Sequence, residues 1–336
     1  MKTMREISEE LGVSIATVSY VYNDRWKEKK ISRELAERIK RKLEEEEYNP
    51  NILSLQFMTQ KTQSIGIILG DLSRIFNLNI LCGIEKVLSK EDYVSIVVSS
   101  ELGKKEKQYL KIMESRRVDG IIFAPHNNRE IQFIKRFCKN TSLVFVDNYL
   151  PEINTSFVVS DNWYGVYEAV KYLIKKGRKK IAYAGSNKEL IVLKERFKGY
   201  KDALRDADLN IDNKLIWKVS DSSEYPAILN EMFSKINPDA IFVESLLYFK
   251  KGFRFFYEKG IKIPDDVLIA GFDPVDLSLS EMSEVGLHLV VRGTIPFVEQ
   301  RGEEMGKKAA EILLGMLNGK KEIQQIFIKP ELKNFK

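Results

Sequence analysis

The chain has 336 residues, about twice the length that one domain usually takes, so we expect at least two folded units. Hydrophobic residues make up 44% and charged residues 30%, a composition that excludes a disordered or fibrous chain. The net charge of +6 permits a polyanionic partner without requiring one. With only two cysteines, Cys82 and Cys138, a disulfide scaffold is excluded and buried free thiols are expected.

The N-terminus, MKTMREISEELGV, has neither the apolar core nor the small-residue cleavage site of a secretory signal. No stretch approaches the roughly 20 apolar residues that span a bilayer. We therefore expect a soluble, cytoplasmic protein that does not associate with membranes.

The first residues predict two short helices that are joined tightly. Thr3 and Glu6 form a capping box, and Gly12 ends the first helix in the left-handed conformation that glycine tolerates. Ser14 then caps a second helix that begins at Ile15. Two short helices this close in sequence must cross steeply, which predicts a helix-turn-helix.

The faces of the second helix differ in character. Val18, Val21 and Tyr22 are predicted to face inward, toward a third helix that starts at Ser32 and presents Leu35, Ile39 and Leu43. The opposite face carries short polar and apolar groups of the kind that contact phosphates and base edges in the major groove: Ile15, Ala16, Ser19 and Tyr20, with Asn23. A three-helix interaction module is the alternative.

Residues 1–61 hold 12 basic and 11 acidic residues, so the total charge gives little support for DNA binding. The distribution of the charges supports DNA binding more strongly, because basic residues cluster between Arg25 and Arg33 and include Lys29, whereas acidic residues concentrate at Glu44–Glu47. This pattern favours phosphate contacts just beyond the second helix.

From Ser64 onward, apolar strands alternate with amphipathic helices, which indicates parallel sheets covered on both faces. About 270 residues of this alternation predict two α/β lobes with a cleft between them. The predicted strands are 64–69, 93–98, 119–124, 142–147, 179–185, 215–219, 239–244 and 267–272. The predicted helices lie near 77–90, 104–115, 129–138, 163–176, 189–207, 224–235 and 248–259.

Carboxylates stand at the ends of three predicted strands, where such lobes bind ligands. Asp147 ends SLVFVD, Glu244 ends DAIFVE, and Asp273 follows VLIAGF. Carboxylates accept hydrogen bonds from paired sugar hydroxyls, so these positions are candidate effector-binding sites.

The motifs GVSIATVSYVYN and YNPN resemble the lactose/galactose-repressor (LacI/GalR) family of bacterial transcription regulators. The resemblance continues through RRVDGIIFAP, VVSDNWYGVYEA, GRKKIAYAG, KERFKGYKDAL, IPDDVLIAGFD and EEMGKKAAEILL. It implies a DNA-binding headpiece (1–48), a hinge helix or linker (49–62) and a two-lobed, periplasmic-binding-protein-like core (63–336). The first lobe is expected to hold about 63–160 plus 292–320, and the second about 161–291 plus 321–336.

The resemblance also implies DNA-contacting residues. Base edges would be read by Ile15, Ala16 and Tyr20, and phosphates would be held by Thr3, Ser14, Thr17, Ser19 and Asn23, with Lys29 beyond the helix. Family members often have arginine where this chain has Tyr20, so we expect a different operator preference.

In the hinge, the DNA-contacting candidates are Asn51, Ser54 and Phe57. The family usually places alanine and leucine at the last two of these positions. Phe57 is expected to wedge open a central base step in the minor groove, and the alternative is that it docks on the core.

By family position, the effector pocket would use Phe76, Asn77, Asp147, Asp161, Arg196, Glu244 and Asp273. Asp161 has an alternative role as a helix N-cap, and Arg196 could instead be an exposed helix charge. The chain departs from the family at Glu244–Ser245 and in the segment 278–300, which leaves the identity of the expected sugar or sugar derivative open.

Enzyme chemistry is not predicted. The sequence lacks the H-E-x-x-H, G-x-S-x-G and phosphate-loop motifs, and a glycosidase pair or metal site among the cleft acids has no further support. His126 and His288 are expected in loops or at the surface and not as ligands. We expect no cofactor, no metal and no catalytic residue.

Together these features predict an effector-responsive repressor that binds a pseudo-palindromic operator as a homodimer. The chain ends soon after its last predicted strand, QIFIKP, without a heptad tail, which favours a dimer over a tetramer. The alternatives are control by a protein co-repressor, a sugar-binding protein and an enzyme. A cleft that takes up no sugar would favour the co-repressor.

Overall fold

A computed structural model describes residues 2–48, 61–245, 249–274 and 295–335. The chain divides into two compact units, residues 1–62 and 63–336. The hinge candidates Asn51, Ser54 and Phe57 lie outside the described residues, as do His288 and most of the segment 278–300.

The first unit is a three-helix headpiece with α1 (Met4–Leu11), α2 (Ile15–Tyr22) and α3 (Arg33–Glu45). Its local signals act as predicted: the Thr3–Glu6 capping box is formed, Gly12 adopts φ +67°, and the Ser14 hydroxyl accepts from the Thr17 N–H at 3.0 Å. The small core consists of Ile7, Val18, Val21, Ala36, Ile39 and Leu43, with the predicted Leu35 only partly buried beside it.

The second unit contains two six-stranded sheets, one in each lobe. The first lobe has the strand order β11-β5-β4-β3-β1-β2, and every neighbouring pair in it is parallel. Its strands are β1 (Ser64–Leu69), β2 (Val94–Ser99), β3 (Gly120–Phe123), β4 (Ser142–Val146), β5 (Ser156–Ser160) and β11 (Gln325–Ile328).

The second lobe has the order β12-β10-β9-β8-β6-β7, and β12 alone pairs antiparallel to its neighbour. Its strands are β6 (Ile181–Ser186), β7 (Ile216–Val219), β8 (Ala240–Val243), β9 (Leu268–Phe272), β10 (Ile295–Glu299) and β12 (Glu331–Phe335).

Helices cover both faces of each sheet, so the central strands are buried and read as apolar runs. In the first lobe they are α4 (Ile75–Leu88), α5 (Glu106–Ser115), α6 (Ile131–Phe137) and α11 (Gly302–Leu317). In the second lobe they are α7 (Asn162–Lys175), α8 (Ile191–Arg205), α9 (Tyr225–Lys235) and α10 (Lys250–Lys259).

The chain crosses between the lobes three times in the described residues: after β5, between β10 and α11, and between β11 and β12. Two predicted lobe assignments are therefore wrong. Residues 295–299 belong to the second lobe because they pair with β9, and 325–328 belong to the first because they pair with β5. Local apolarity predicts a strand but not its sheet, which depends on distant partners.

Candidate functional sites

The outward surface of α2 is the candidate DNA-binding surface of the headpiece. Ile15 keeps 47% of its surface exposed. Ala16 is exposed beside it, and Ser19 and Tyr20 are half-buried. Val18 and Val21 on the opposite side are fully buried, so the division of the helix into two faces follows its sequence period.

Tyr22 differs from its predicted inward position. It keeps 40% of its surface exposed and packs edge-on against Tyr48, with ring centroids 5.7 Å apart. Tyr48 follows the end of α3 and covers only one side of the ring.

Several of the predicted phosphate-contacting groups also serve the headpiece itself. The Thr3 hydroxyl donates to Glu6, the Ser14 hydroxyl is 2.9 Å from that of Thr17, and the Asn23 amide donates to the Ser19 carbonyl at 2.8 Å. The first two contacts place polar groups at the N-termini of α1 and α2, where backbone N–H groups and the helix dipole favour anions, and the third lies at the C-terminal end of α2.

Tyr20 sits beside a cation. The Lys29 amine lies 5.1 Å from the centre of its ring, within the range of a cation–π contact. The two residues therefore present an aromatic group and a positive charge together on one side of α2.

The second candidate site is a cavity of about 250 Å³ between the two lobes of the core. It is lined by six of the seven predicted effector residues: Phe76, Asn77, Asp147, Arg196, Glu244 and Asp273. Asp161 lies outside this lining. Its carboxylate accepts the Tyr164 N–H at 2.9 Å and caps α7, which is the alternative role considered from the sequence.

Two of these aspartates occupy matching places in the two lobes. Asp147 follows β4 and Asp273 follows β9, and both adopt left-handed backbone, with φ of +68° and +62°. This conformation is costly for residues other than glycine and turns the chain sharply at the strand end. Burial raises the pKa of the Asp147 carboxyl, and its neighbours His126 and Arg196 act in the opposite direction.

Arg196 is a buried residue of the cleft and not an exposed helix charge, with only 7% of its surface accessible. Its Nε donates to Asn162 Oδ1 at 2.8 Å, and its Nη1 donates to the Glu244 carbonyl at 2.9 Å. The guanidinium carbon lies 3.5 Å from the centre of the Phe272 ring. These contacts fix the side chain in one orientation.

Glu244 is tied into the second lobe by its own carboxylate. The Tyr183 hydroxyl donates to one oxygen at 2.5 Å, and the Ser186 N–H donates to the other at 2.7 Å. Burial raises the pKa of this carboxyl, which retains 4% exposure. It therefore supports the cavity wall as much as it offers an acceptor to a ligand.

Asn77 and Asn148 line the first-lobe side of the cavity. Each uses its amide nitrogen internally, toward the carbonyls of Asp71 and Pro125, both at 2.6 Å. Their buried Oδ1 atoms accept no hydrogen bond from the described residues. Because a buried acceptor without a partner is costly, these oxygens suit a ligand that carries hydroxyl donors.

His126 lines the same cavity, although the sequence predicted a loop or surface residue without a ligand role. It does lie in a loop, and its Nδ1 is 2.9 Å from the Ala124 carbonyl, so Nδ1 carries the proton and Nε2 is left as an acceptor. Burial lowers its pKa and favours this neutral form.

Gly70 leaves room for this histidine in the folded structure. A Cβ at residue 70 would lie 2.4 Å from the imidazole ring, so only glycine leaves the ring its place.

Other lining residues were not predicted, and they lie at the ends of elements or at lobe crossings. Gln300, at the second crossing, donates to Asp273 at 2.8 Å and accepts from the Ser160 hydroxyl at 2.7 Å. The remaining polar residues that line the cavity and were not predicted are Arg74, Ser186, Lys188, Ser220, Asp221, Tyr225 and Ser245. No group of metal-binding side chains is found among the described residues.

Two hydrogen bonds join the lobes beside the cavity. The Tyr149 hydroxyl donates to Glu195 at 3.0 Å, and the Asn128 amide donates to the Glu189 carbonyl at 3.0 Å. Tyr149 also stacks on Phe157, with ring centroids 4.2 Å apart, so the first-lobe partner is held rigidly.

Residues 62–336 match the family model of periplasmic binding proteins and the sugar-binding domain of the LacI family, and residues 3–51 match that of bacterial regulatory proteins of the lacI family. The chain belongs to the LacI family. Among curated relatives, the transcriptional regulator RegA of Clostridium saccharobutylicum is 30% identical over 96% of this chain and 94% of its own length. The transcriptional repressor PurR of Vibrio atlanticus is 25% identical over 99% of this chain and 97% of its own length.

Solved structures show the same fold. The lac repressor dimer bound to operator and the anti-inducer ONPF has a TM-score of 0.81 at 18% identity and covers 99% of this chain and 98% of its own. The regulator CelR in complex with cellobiose has a TM-score of 0.70 at 23% identity, with the same coverage.

Membership of the LacI family makes this chain a DNA-binding transcriptional regulator with a helix-turn-helix headpiece and a two-lobed core, as the sequence predicted. The family consists of regulators, which confirms the prediction that the chain is not an enzyme. None of the described helices is long and apolar enough to cross a membrane.

Proposed function

We propose that this LacI-family chain is a cytoplasmic repressor that binds a pseudo-palindromic operator as a homodimer and responds to a sugar-like effector in the cavity between its lobes. The observation that carries the proposal is the pairing, in one chain, of an exposed helix face with a cavity lined from both lobes. Two headpieces related by a two-fold axis match two half-sites of an operator.

In the DNA complex, Ile15, Ala16 and Tyr20 read base edges in the major groove. Phosphates are bound at the N-termini of α1 and α2 by Thr3, Ser14 and Thr17, and farther along by Ser19, Asn23 and Lys29. The hinge residues Asn51 and Ser54 contact the minor groove, where Phe57 inserts as an apolar wedge.

In the cavity, Asp147 and Asp273 accept hydrogen bonds from effector hydroxyls, and Phe76 provides an apolar face. A ribose operon repressor of Haemophilus influenzae, 25% identical over 96% of this chain, and the cellobiose complex of CelR support a sugar or sugar derivative as the effector class. A hydrogen bond to Asn162 and a cation–π contact with Phe272 orient the Arg196 side chain for ligand binding.

Control follows from the position of the cavity. An effector that contacts both lobes stabilises one angle between them over another, and only this difference in affinity can shift the regulator between its DNA-binding states. A coupling of about 1–3 kcal/mol per effector is typical of such systems.

The test is a selection of duplexes from a random-sequence pool with the full-length chain, followed by binding of the enriched site at two salt concentrations. We expect a palindrome of roughly 14–20 base pairs and an affinity that falls steeply with salt, because many phosphate contacts release counterions. Absence of any enriched site, with and without a sugar library, would contradict the proposal.

Tyr20→Ala is expected to weaken binding and relax the preference at one base position in each half-site, by about 1–3 kcal/mol. Glu37→Gln on α3 is the matched control and should leave the preferred sequence unchanged. If the cleft takes up no sugar while the DNA site is enriched, control by a protein co-repressor is favoured instead.

A further inference from the structure

The cavity between the lobes contains two cationic side chains that its sugar-binding groups do not account for. Arg74 precedes α4 in the first lobe, and Lys188 follows β6 in the second, and both line the same space of about 250 Å³. They therefore face a common ligand from opposite sides of the cleft.

Among the described residues, no carboxylate forms an ion pair with the Lys188 amine, and this residue remains accessible to solvent. Partial burial lowers its pKa, and the positive charge of Arg74 lowers it further. Two like charges that act on each other across a cleft are stabilised by an anion placed between them.

Arg74 pairs with Asp71, whose Oδ2 lies 3.6 Å from Nε. It also stands at the N-cap of the 14-residue helix α4, whose first turn contains no acidic side chain and whose dipole adds positive potential there. Two independent sources of positive potential therefore converge on the first-lobe wall.

Three of the four acids that line the cavity are engaged by other groups. Glu244 accepts hydrogen bonds from Tyr183 and Ser186, Asp221 from the Ser223 N–H, and Asp273 from Gln300. Two nitrogens of Arg196 donate to Asn162 and to the Glu244 carbonyl, which fixes the guanidinium on the second-lobe wall.

We infer that Arg74 and Lys188 form an anion clamp, and that the effector of this regulator is a sugar phosphate whose phosphate group bridges the two lobes. A phosphate monoester carries close to two negative charges at neutral pH and three acceptor oxygens, which matches one guanidinium and one ammonium. Its sugar hydroxyls would bind Asp147 and Asp273. This inference rests on the proposed function and specifies its ligand.

Because the two cations belong to different lobes, the clamp also has a mechanical effect. Without an anion their repulsion opposes approach of the lobes at this edge, and a bound phosphate reverses the sign of that interaction. The phosphate group would therefore favour the closed cleft more than the sugar ring alone does.

The experiment is a calorimetric and thermal-shift comparison on the full-length chain with matched ligand pairs: glucose and glucose 6-phosphate, fructose and fructose 6-phosphate, ribose and ribose 5-phosphate, with inorganic phosphate alone as the simplest probe. We expect at least one phosphate ester to bind tenfold or more tightly than its parent sugar, and inorganic phosphate to raise the melting temperature.

Lys188→Gln and Arg74→Gln should each reduce this preference at least tenfold. Lys194→Gln is the matched control, because Lys194 pairs with Glu189 and lies outside the cavity lining. Unchanged melting of the ligand-free variants establishes that they fold.

Three outcomes are informative. Ester binding that depends on Lys188 and Arg74 but not on Lys194 supports the clamp. Equal binding of sugars and their esters, or ester binding that the two variants leave unchanged, overturns the clamp and leaves a sugar-controlled repressor in place. If no sugar, ester or phosphate binds, both the clamp and the effector half of the proposed function fail, while the operator selection still decides the DNA-binding half.

Discussion

The headpiece and the cavity of the core are built from different kinds of sequence information. In the headpiece, the candidate base-reading side chains lie on one short helix, α2, whose opposite face fills the core, so a single period of 3.6 residues specifies both faces. The cavity is lined by residues from many loops and strand ends spread between Arg74 and Gln300. The first site depends on one local element, and the second on the meeting of two sheets.

This difference predicts that damage to the headpiece core remains local. Ile39 is fully buried in a cluster of six residues, all from the headpiece. Ile39→Ala should destabilise the headpiece by about 4 kcal/mol, because so small a unit cannot collapse around the cavity left behind. DNA binding should be lost, while the thermal transition of the core and its ligand binding are retained.

The milder Ile39→Val should reduce DNA binding only partially. Loss of the core transition in Ile39→Ala, measured by calorimetry, would show that the two units are not independent.

Damage at Arg196 should spread further within the core. Arg196→Gln removes the contact with Phe272 and leaves Asn162 Oδ1 and the Glu244 carbonyl without their donor, at a cost of about 3 kcal/mol in the free energy of unfolding. Effector binding should be lost, and DNA binding without effector should persist. Arg196→Lys should restore part of the stability but not the affinity.

The pH dependence of the core offers a third comparison. Glu106 is 1% exposed, and burial raises the pKa of its carboxyl to about 7, from an ordinary value of 4.5. It accepts the His126 N–H at 2.5 Å and the Asn127 amide at 2.6 Å, and so holds the loop of a cavity residue.

Because the folded pKa is raised, the folded state binds more protons between pH 4.5 and 7, and the contribution of Glu106 to stability falls as pH rises through that window. The expected loss is about 2 kcal/mol between pH 5 and 7. Glu106→Gln should flatten this slope, measured by denaturant unfolding, and Glu101→Gln at an exposed position should not. An unchanged slope in Glu106→Gln would contradict the assignment.

The smallest expected effect separates two roles of one hydroxyl. Ser14→Ala removes the N-cap of α2 and should cost about 1 kcal/mol of headpiece stability. Ser14→Asp keeps a capping acceptor but places a negative charge near the DNA backbone. If Ser14 contacts a phosphate, the aspartate variant should be as stable as the parent and yet bind DNA much more weakly in a filter or fluorescence assay.

Sequence reasoning was most successful where the determinant was local. The capping box, Gly12, Ser14 and most of the inward residues of the three headpiece helices were predicted, as were nine of the described strands. Three strand-end acids, Asp147, Glu244 and Asp273, were also found from their position alone, because parallel strands place their carboxyl ends at one edge.

Prediction from the sequence failed where the position of a residue depends on contacts with distant parts of the chain. The strands β5, β10 and β12 were not predicted, and residues 295–299 and 325–328 were assigned to the wrong lobes, because the sheet that each segment joins is set by partners elsewhere in the chain. His126 and Gln300 reach the cavity only through such long-range arrangements, and nothing in the residues beside them marks the role.

Gln300 carries a consequence of its own. Its amide ties the β5 crossing, through Ser160, to the strand end at Asp273, and the same side chain faces the cavity. The crossing between the lobes at Gln300 is thus itself part of the cavity wall that meets the ligand. A ligand in the cavity can therefore act on the crossing between the lobes directly, because the Gln300 amide both lines the cavity and holds that crossing in place.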